Sequence, residues 1–303
     1  MSDARMSVQL PRAASPGQTA AEQAHSLWMD ALRRLVRNLG AVAGAALLAL
    51  LILAAILAPY ITRYDPVKIV PSERLKPPSA QYWLGTDPFG RDIYTRIVYG
   101  SRISLRMGIV SVTIAALLGV TGGLVAGYMG GRLDTLIMRL VDVTLAFPGI
   151  LLALVIIAVL GPSLFNAMIA VGISASPTYA RVTRGMVLKT KAEVYIESAV
   201  AIGCRPARII LRHILPNILG PIVVVATLGV AGAIISGAAL SFLGLGATPP
   251  TPEWGLMLSD GRNYLRAAWW ITTFPGMAIM ITVLSINLLG DGLRDALDPH
   301  MKT

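Results

Sequence analysis

Five stretches of this chain contain no Asp, Glu, Lys, Arg or His: residues 38–62, 107–131, 143–180, 214–252 and 267–290. A helix of about 20 apolar residues crosses the hydrocarbon core of a bilayer. Each run is therefore long enough for one span, and two are long enough to need dividing. Gly161-Pro162-Ser163 splits the third run into two. In the fourth, Ser241, Gly244, Gly246, Thr248 and the run Pro249-Pro250-Thr251-Pro252 end the helix near 243 and leave an apolar loop. The pattern predicts an all-α integral membrane protein with six spans, at about 39–60, 107–130, 136–160, 164–182, 217–243 and 270–290. Composition agrees, since only 14% of the 303 residues are charged against about a quarter in soluble domains.

The net charge of +10 is a matter of topology. Arg33, Arg34 and Arg37 stand just before the first span and favour a cytoplasmic N-terminus, although the 61–106 loop is itself basic. Basic runs interleaved with aromatics are absent, which argues against nucleic acid as a partner and leaves the lipid bilayer as the natural one. Residues 1–38 read as a cytoplasmic tail, flexible to about Ala24 and then an amphipathic lead-in, without the short apolar core and cleavage site of a signal peptide. Residues 61–106 form an extracytoplasmic loop, extended where the prolines lie, with Ile93, Tyr94 and Ile97 at helical spacing near its end. Asp87, Arg91 and Asp92 there suit capping and ion pairing. Residues 183–216 form a cytoplasmic loop, and 293–303 a cytoplasmic tail, the transmembrane domain spanning 39–292.

Within the spans the informative residues are small. Gly119, Gly123, Gly127 and Gly131 recur every fourth position, a stripe along which another helix backbone approaches closely. Pro148 and Pro177 interrupt spans and predict kinks or the wall of a passage. Asp142, three residues after Arg139, suits a pair along one helix. Trp254, Tyr264, Trp269 and Trp270 read as interface anchors.

Equally informative is what the chain lacks. Arg139, Asp142 and Arg181 fall at the ends of predicted spans, and no ionisable residue lies near a span's middle, where an ion-coupled transporter places its driving site. A phosphate-cradling G-x-x-x-x-G-K-[ST] loop is missing, because no Gly-Lys pair occurs. There is no H-E-x-x-H, no G-x-S-x-G and no metal-spaced Cys/His cluster, and the lone Cys204 sits in a turn. These exclusions predict no catalytic, cofactor or metal site in this chain. They also weigh against a secondary transporter or channel, leaving a membrane scaffold as a further alternative.

Residues 186–217 are the polar interruption between the uncharged runs, with Lys189, Lys191, Glu193, Glu197, Arg205, Arg208, Arg212 and His213. They read as two short helices. The first shows one apolar face through Leu188, Ala192, Tyr195, Ala199 and Ile202; Gly203 supplies a left-handed end, and Pro206 a new start.

This stretch resembles the cytoplasmic loop of permease subunits of binding-protein-dependent ABC importers, whose pattern is E-A-A, three residues, Gly, nine residues, then I-x-L-P. Here it reads Glu197-Ser198-Ala199, Gly203, then His213-Ile214-Leu215-Pro216, with Ser198 and His213 the departures. YWLGTDPFGRDIYTRIVYGSRISL, LAFPGILLAL, SFLGLGATPPTPEWGLML and GDGLRDALDP are similar to the C-type permease of dipeptide, oligopeptide, nickel and glutathione importers. The resemblance implies a type I importer permease architecture in a bacterial inner membrane. It implies a coupling helix bearing Glu197, Ser198, Ala199 and Gly203, with Leu215 and Pro216 following. Its implied partners are a second, different permease subunit, two ATP-binding subunits holding ATP and Mg, and an extracytoplasmic substrate-binding protein. The implied cargo is a small peptide or glutathione, with nickel or another small solute as the alternative.

Overall fold

The computed structural model describes residues 32–297, and the expectations for residues 1–31 and 298–303 lie outside them. Among the described residues the chain is helical. Helix α1 runs Leu39–Ile56, with a short continuation α2 at Ala58–Ile61. Then come α3 (Ile93–Met129), α4 (Gly131–Leu145), α5 (Gly149–Leu160) and α6 (Leu164–Lys191). Beyond α6 lie α7 (Val194–Ala201), α8 (Pro206–Ile209), α9 (Leu215–Phe242), α10 (Trp254–Gly261) and α11 (Trp270–Leu297).

Local chemistry sets several of these starts. Each first turn leaves backbone N–H groups without helical partners, and a polar side chain at the N-cap accepts from one or two of them. Asn38 Oδ1 accepts from the Ala41 N–H at 3.1 Å. Asp92 accepts from the Thr95 N–H and hydroxyl at 2.8 and 2.6 Å. Ser163 accepts from the Asn166 N–H at 3.1 Å.

Three features differ from the sequence reading. The helical spacing of Ile93, Tyr94 and Ile97, read as the end of the 61–106 loop, is continuous with the second span, making α3 a single helix of 37 residues. The third predicted span, 136–160, is not straight: α4 and α5 meet at 95° across Ala146-Phe147-Pro148. Pro148 cannot donate an N–H, and it disfavours helical backbone at the residue before it, so the ladder breaks there. Residues 293–297 of the expected tail are helical, continuing α11. Leu39–Ile56, α3, Pro206–Phe242 and α11 are each long and apolar enough to cross a membrane alone, and the bent α4–α5 pair makes a fifth if its two helices form one broken span. Helix α6 occupies the place of the predicted 164–182 span but is more polar, with Asn166, Ser174, Ser176 and Thr178 along it.

The core is the α3–α6 contact. A Cβ at Gly119 would meet Ser176 O at 2.4 Å, one at Gly123 would meet Ala180 O at 2.5 Å, and one at Gly127 would meet Val187 Cβ at 2.8 Å. Three glycines of the stripe thus let α6 lie against the α3 backbone. Gly131 does not join them. Nothing lies within 4 Å of its Cβ position, and its φ of +58° places it in the turn that separates α3 from α4.

On the face away from α7, residues 63–92 fold over α3 and α10 as a cap. Arg91 Nε lies 2.6 Å from Asp87 Oδ2 and Arg91 Nη2 lies 3.1 Å from Asp260 Oδ2, with both arginine and Asp87 buried. Arg96, 1% exposed, donates to the Pro66 carbonyl at 2.8 Å and stands 3.6 Å from Asp87. Asp87, Arg91 and Asp92 therefore act in ion pairing and capping within the chain. The tryptophans divide. Trp269 is half exposed, but Trp254 and Trp270 are buried, donating their indole N–H groups to Ile97 O at 3.0 Å and Thr86 O at 3.2 Å. They are core residues of the cap, not interface anchors. A buried indole needs a hydrogen-bond acceptor, and the cap supplies a backbone carbonyl to each.

Candidate functional site

Two features stand out from the packed body: an elbow at residues 191–217 and a cleft beside the α4–α5 bend.

The elbow begins where α6 leaves the bundle. Lys191 Nζ donates to Tyr128 O at 2.8 Å and sits 5.4 Å from the Tyr128 ring, tying the end of α6 to the end of α3. After Ala192 and Glu193 the chain turns into α7. The single apolar face read from Leu188 to Ile202 is divided, because Leu188 belongs to α6 and Ala192 is the residue that ends it. Within α7, Ile196 and Ala199 are the buried residues, and they pack with Val187, Ile209, Ile214 and Ile218. Val194, Val200 and Ile202 point away from the body with 75%, 56% and 80% of their surface exposed. Glu197 and Ser198 are exposed between them, the Ser198 hydroxyl donating to Val194 O at 2.9 Å.

Gly203 follows, with φ +80° and open space where a Cβ would stand. Its glycine is explained within this chain by left-handed backbone, which costs other residues roughly 1–2 kcal/mol. The turn closes with the Cys204 N–H donating to Ala199 O at 3.0 Å.

The expected second short helix is instead the beginning of a long one. Pro206 opens a helix that continues through a π-helical turn at Ile210–Ile214 into α9, together spanning Pro206–Phe242. Leu215 N–H reaches Ile210 O, five residues back. Pro216, next in line, has no N–H to offer, so the hydrogen-bond ladder slips at this point. Leu215 is half buried and Pro216 exposed. The elbow is thus joined through a few residues to α6 on one side and is continuous with α9 on the other.

Those same helices wall the cleft. A cavity of about 570 Å³ opens between α3, the α4–α5 bend, α6 and α9. Its polar lining is hydroxyl-bearing: Ser111, Thr144, Ser174, Thr178, Tyr179 and Ser236. No charged side chain lines it. Beside it, α4 is fastened to α6 by two ion pairs. Arg184 grips Asp134 with Nε and Nη2 at 2.5 and 2.6 Å, and Arg181 Nη2 meets Asp142 at 2.5 Å. Asp142 was expected to pair with Arg139 on its own helix. It pairs across the helices, where Arg181 lies closer than the i−3 neighbour's outward-pointing side chain.

Chemically the cleft offers uncharged hydrogen-bonding groups. Among the described residues no cluster of His, Cys, Asp and Glu could hold a metal ion. The cleft residues were not legible as a site in the sequence beyond the flag raised by Pro148, since serines and threonines in spans carry no distinctive spacing.

Residues 119–303 match the family described as the binding-protein-dependent transport system inner membrane component. The chain belongs to this family. Residues 26–78 match a second model, the N-terminal transmembrane domain of oligopeptide transport permease C. Among curated relatives, the dipeptide transport system permease protein of Alkalihalophilus pseudofirmus is 50% identical over 97% of this chain and 96% of its own length. A glutathione transport system permease protein from Pectobacterium atrosepticum is 47% identical, covering 91% of this chain and 92% of its own. In fold, the chain is similar to the inward-facing MetNI methionine ABC transporter, with a TM-score of 0.53 at 22% identity over 66% of this chain and 96% of that one. The chain is a multi-pass inner-membrane permease subunit of an ABC importer, with the type I permease fold expected from the sequence.

Proposed function

We propose that this subunit forms half of the path by which an ATP-driven importer admits small peptides, dipeptides or glutathione among them. The carrying observation is continuity: one elbow with exposed apolar residues is linked to both α6 and α9, and these helices wall the uncharged cleft. In this reading a second, different permease subunit covers the cleft. Two ATP-binding subunits hold ATP and Mg, and one of them receives α7 in a groove. An extracytoplasmic binding protein delivers cargo, and both termini are cytoplasmic. Val194, Val200 and Ile202 supply apolar contact, Glu197 and Ser198 the polar rim, and Ala199 the packing that holds α7 to the body. Gly203 shapes the turn, while Leu215 and Pro216 place the start of α9. Closure of the ATPases on ATP moves the elbow as a rigid piece and swings α6 and α9 against α4 and α5. This chain does no chemistry of its own. The named substrates of the relatives support the peptide reading.

Uptake of labelled dipeptide, glutathione and nickel in a strain lacking the chain tests the cargo. Restoration of dipeptide or glutathione uptake on re-expression is expected, and restoration of nickel uptake alone would overturn the peptide assignment. Ile202→Asp tests the docking: the variant should accumulate normally in the membrane yet lose co-purifying ATPase and uptake. Full retention of both would remove α7 from the interface.

A further inference from the structure

We propose that the groove between α1 and α3, on the face opposite the elbow, binds one anionic diacyl phospholipid with its phosphate held by Arg106 and Arg102.

The groove is open to the surface, has a volume of about 550 Å³ and is lined on its apolar sides by Ile52 and Ile56 of α1 and Leu105 and Ile109 of α3. Arg102 and Arg106 stand over it, four residues apart and so on one face of α3. No carboxylate lines it. Arg102 is partly committed, since its Nε and Nη2 donate to Ala55 O and Ile56 O, the carbonyls that end α1. Arg106 is exposed and, among the described residues, has no hydrogen bond, ion pair or ring contact. Two like charges one turn apart repel, and an arginine facing hydrocarbon is costly, so this pair needs an anion.

Depth identifies which anion. Helix α1 has 18 residues, or about 27 Å at 1.5 Å per residue, close to the roughly 30 Å of a hydrocarbon core. Its end at Ile56 therefore lies near the headgroup boundary, and Arg102 with it. Arg106 sits about 6 Å deeper, within reach of that boundary when its side chain extends upward. Below the arginines the groove continues between Ile52 and Ile109, both exposed, towards the bilayer centre. A charged head above an apolar slot is the shape of a phospholipid, whereas a free phosphate would use only the upper half. Basic pockets between spans are a general mode of anionic-lipid recognition.

The test is native mass spectrometry of the full chain with its co-purifying subunits, released from nanodiscs of mixed phosphatidylglycerol and phosphatidylcholine. Wild type should retain phosphatidylglycerol in preference to phosphatidylcholine. Arg106→Gln should lower that retention about fivefold, the worth of one surface arginine at an anionic membrane. Ile109→Trp, which fills the slot and leaves both charges, should lower retention of either lipid, while Arg139→Gln, far from the groove on α4, should change nothing. Undiminished phosphatidylglycerol preference in Arg106→Gln would overturn the proposal. So would displacement of the lipid by inorganic phosphate at equal concentration, which would mean a simple anion site. Efficient cross-linking of Arg106→Cys to a co-purified permease would overturn it too, since the groove would then be covered by protein.

Discussion

The cap and the elbow sit at opposite faces of the same bundle and are built on opposite principles. In the cap, Asp87, Arg91 and Arg96 are buried and paired by charge, with Asp260 closing the network, although Arg96 Nε has no hydrogen-bond partner among the described residues. Two tryptophans are sealed with their indole N–H groups bonded to carbonyls. In the elbow, the charged residues Glu193, Glu197, Arg205 and Arg208 are exposed, and Val194, Val200 and Ile202 face outward. The cap seals its charges inside, although Ile69, Trp83 and Phe89 remain exposed; the elbow turns both its charges and Val194, Val200 and Ile202 outward. Exposed apolar surface on a polar loop suits a contact site, whereas a desolvated ion network is costly to break.

That contrast can be broken most forcefully in the cap. Asp87→Ala leaves Arg91 and Arg96 buried with their main counter-charge gone, and removing one partner of a buried ion pair costs roughly 3–5 kcal/mol. The variant should fail to accumulate in the membrane by immunoblot, and normal levels would show the network to be dispensable. Gly203→Ala should act more locally, with a strain of roughly 1–2 kcal/mol from the left-handed backbone. Thermal unfolding of the isolated chain should shift by a few degrees or less, while ATPase co-purification falls several-fold. Equal loss in both measurements would mean that the elbow is as integral to the fold as the cap.

The smallest expected effect is a pH slope in the cap. Glu253, buried at the start of α10, accepts from the Gly255 and Leu256 N–H groups at 2.9 and 2.8 Å. Burial, only partly offset by those hydrogen bonds, pushes its carboxyl above the usual glutamate range. A raised carboxyl is more easily protonated in the folded state than in the unfolded one. Its contribution to stability is thus greatest below the ordinary glutamate range and is lost as pH rises through the raised value. Scanning thermal stability against pH should show this decline, and Glu253→Gln should flatten it. An unchanged slope in that variant would place the titrating group elsewhere, Asp260 being the neighbour also raised by burial.

Much of this fold was legible in the chain itself, for reasons that are local. Absence of charge over 20 or more residues dictates a membrane span wherever it occurs. Asn38, Asp92 and Ser163 cap helices through bonds to residues three positions on, and Gly203 and Pro206 place a turn through their own backbone limits. The glycine stripe announced a close helix contact because its spacing matches a helical face, though which helix would fill it was not written there. The elbow's motif was readable for the same reason.

What only the tertiary structure decided is which distant groups meet. Trp254 and Trp270 look identical to interface anchors in sequence, and their burial follows from carbonyls at Ile97 and Thr86 that the chain brings back from far away. Asp142 had a plausible partner on its own helix and took Arg181 on α6. The cleft exists because α4 and α5 bend by 95° and α6 and α9 stand beside the bend. Helix and turn chemistry acts over a few residues and is therefore encoded locally; pairing, burial and cavity shape depend on how the helices settle against one another, and no single stretch of sequence contains that.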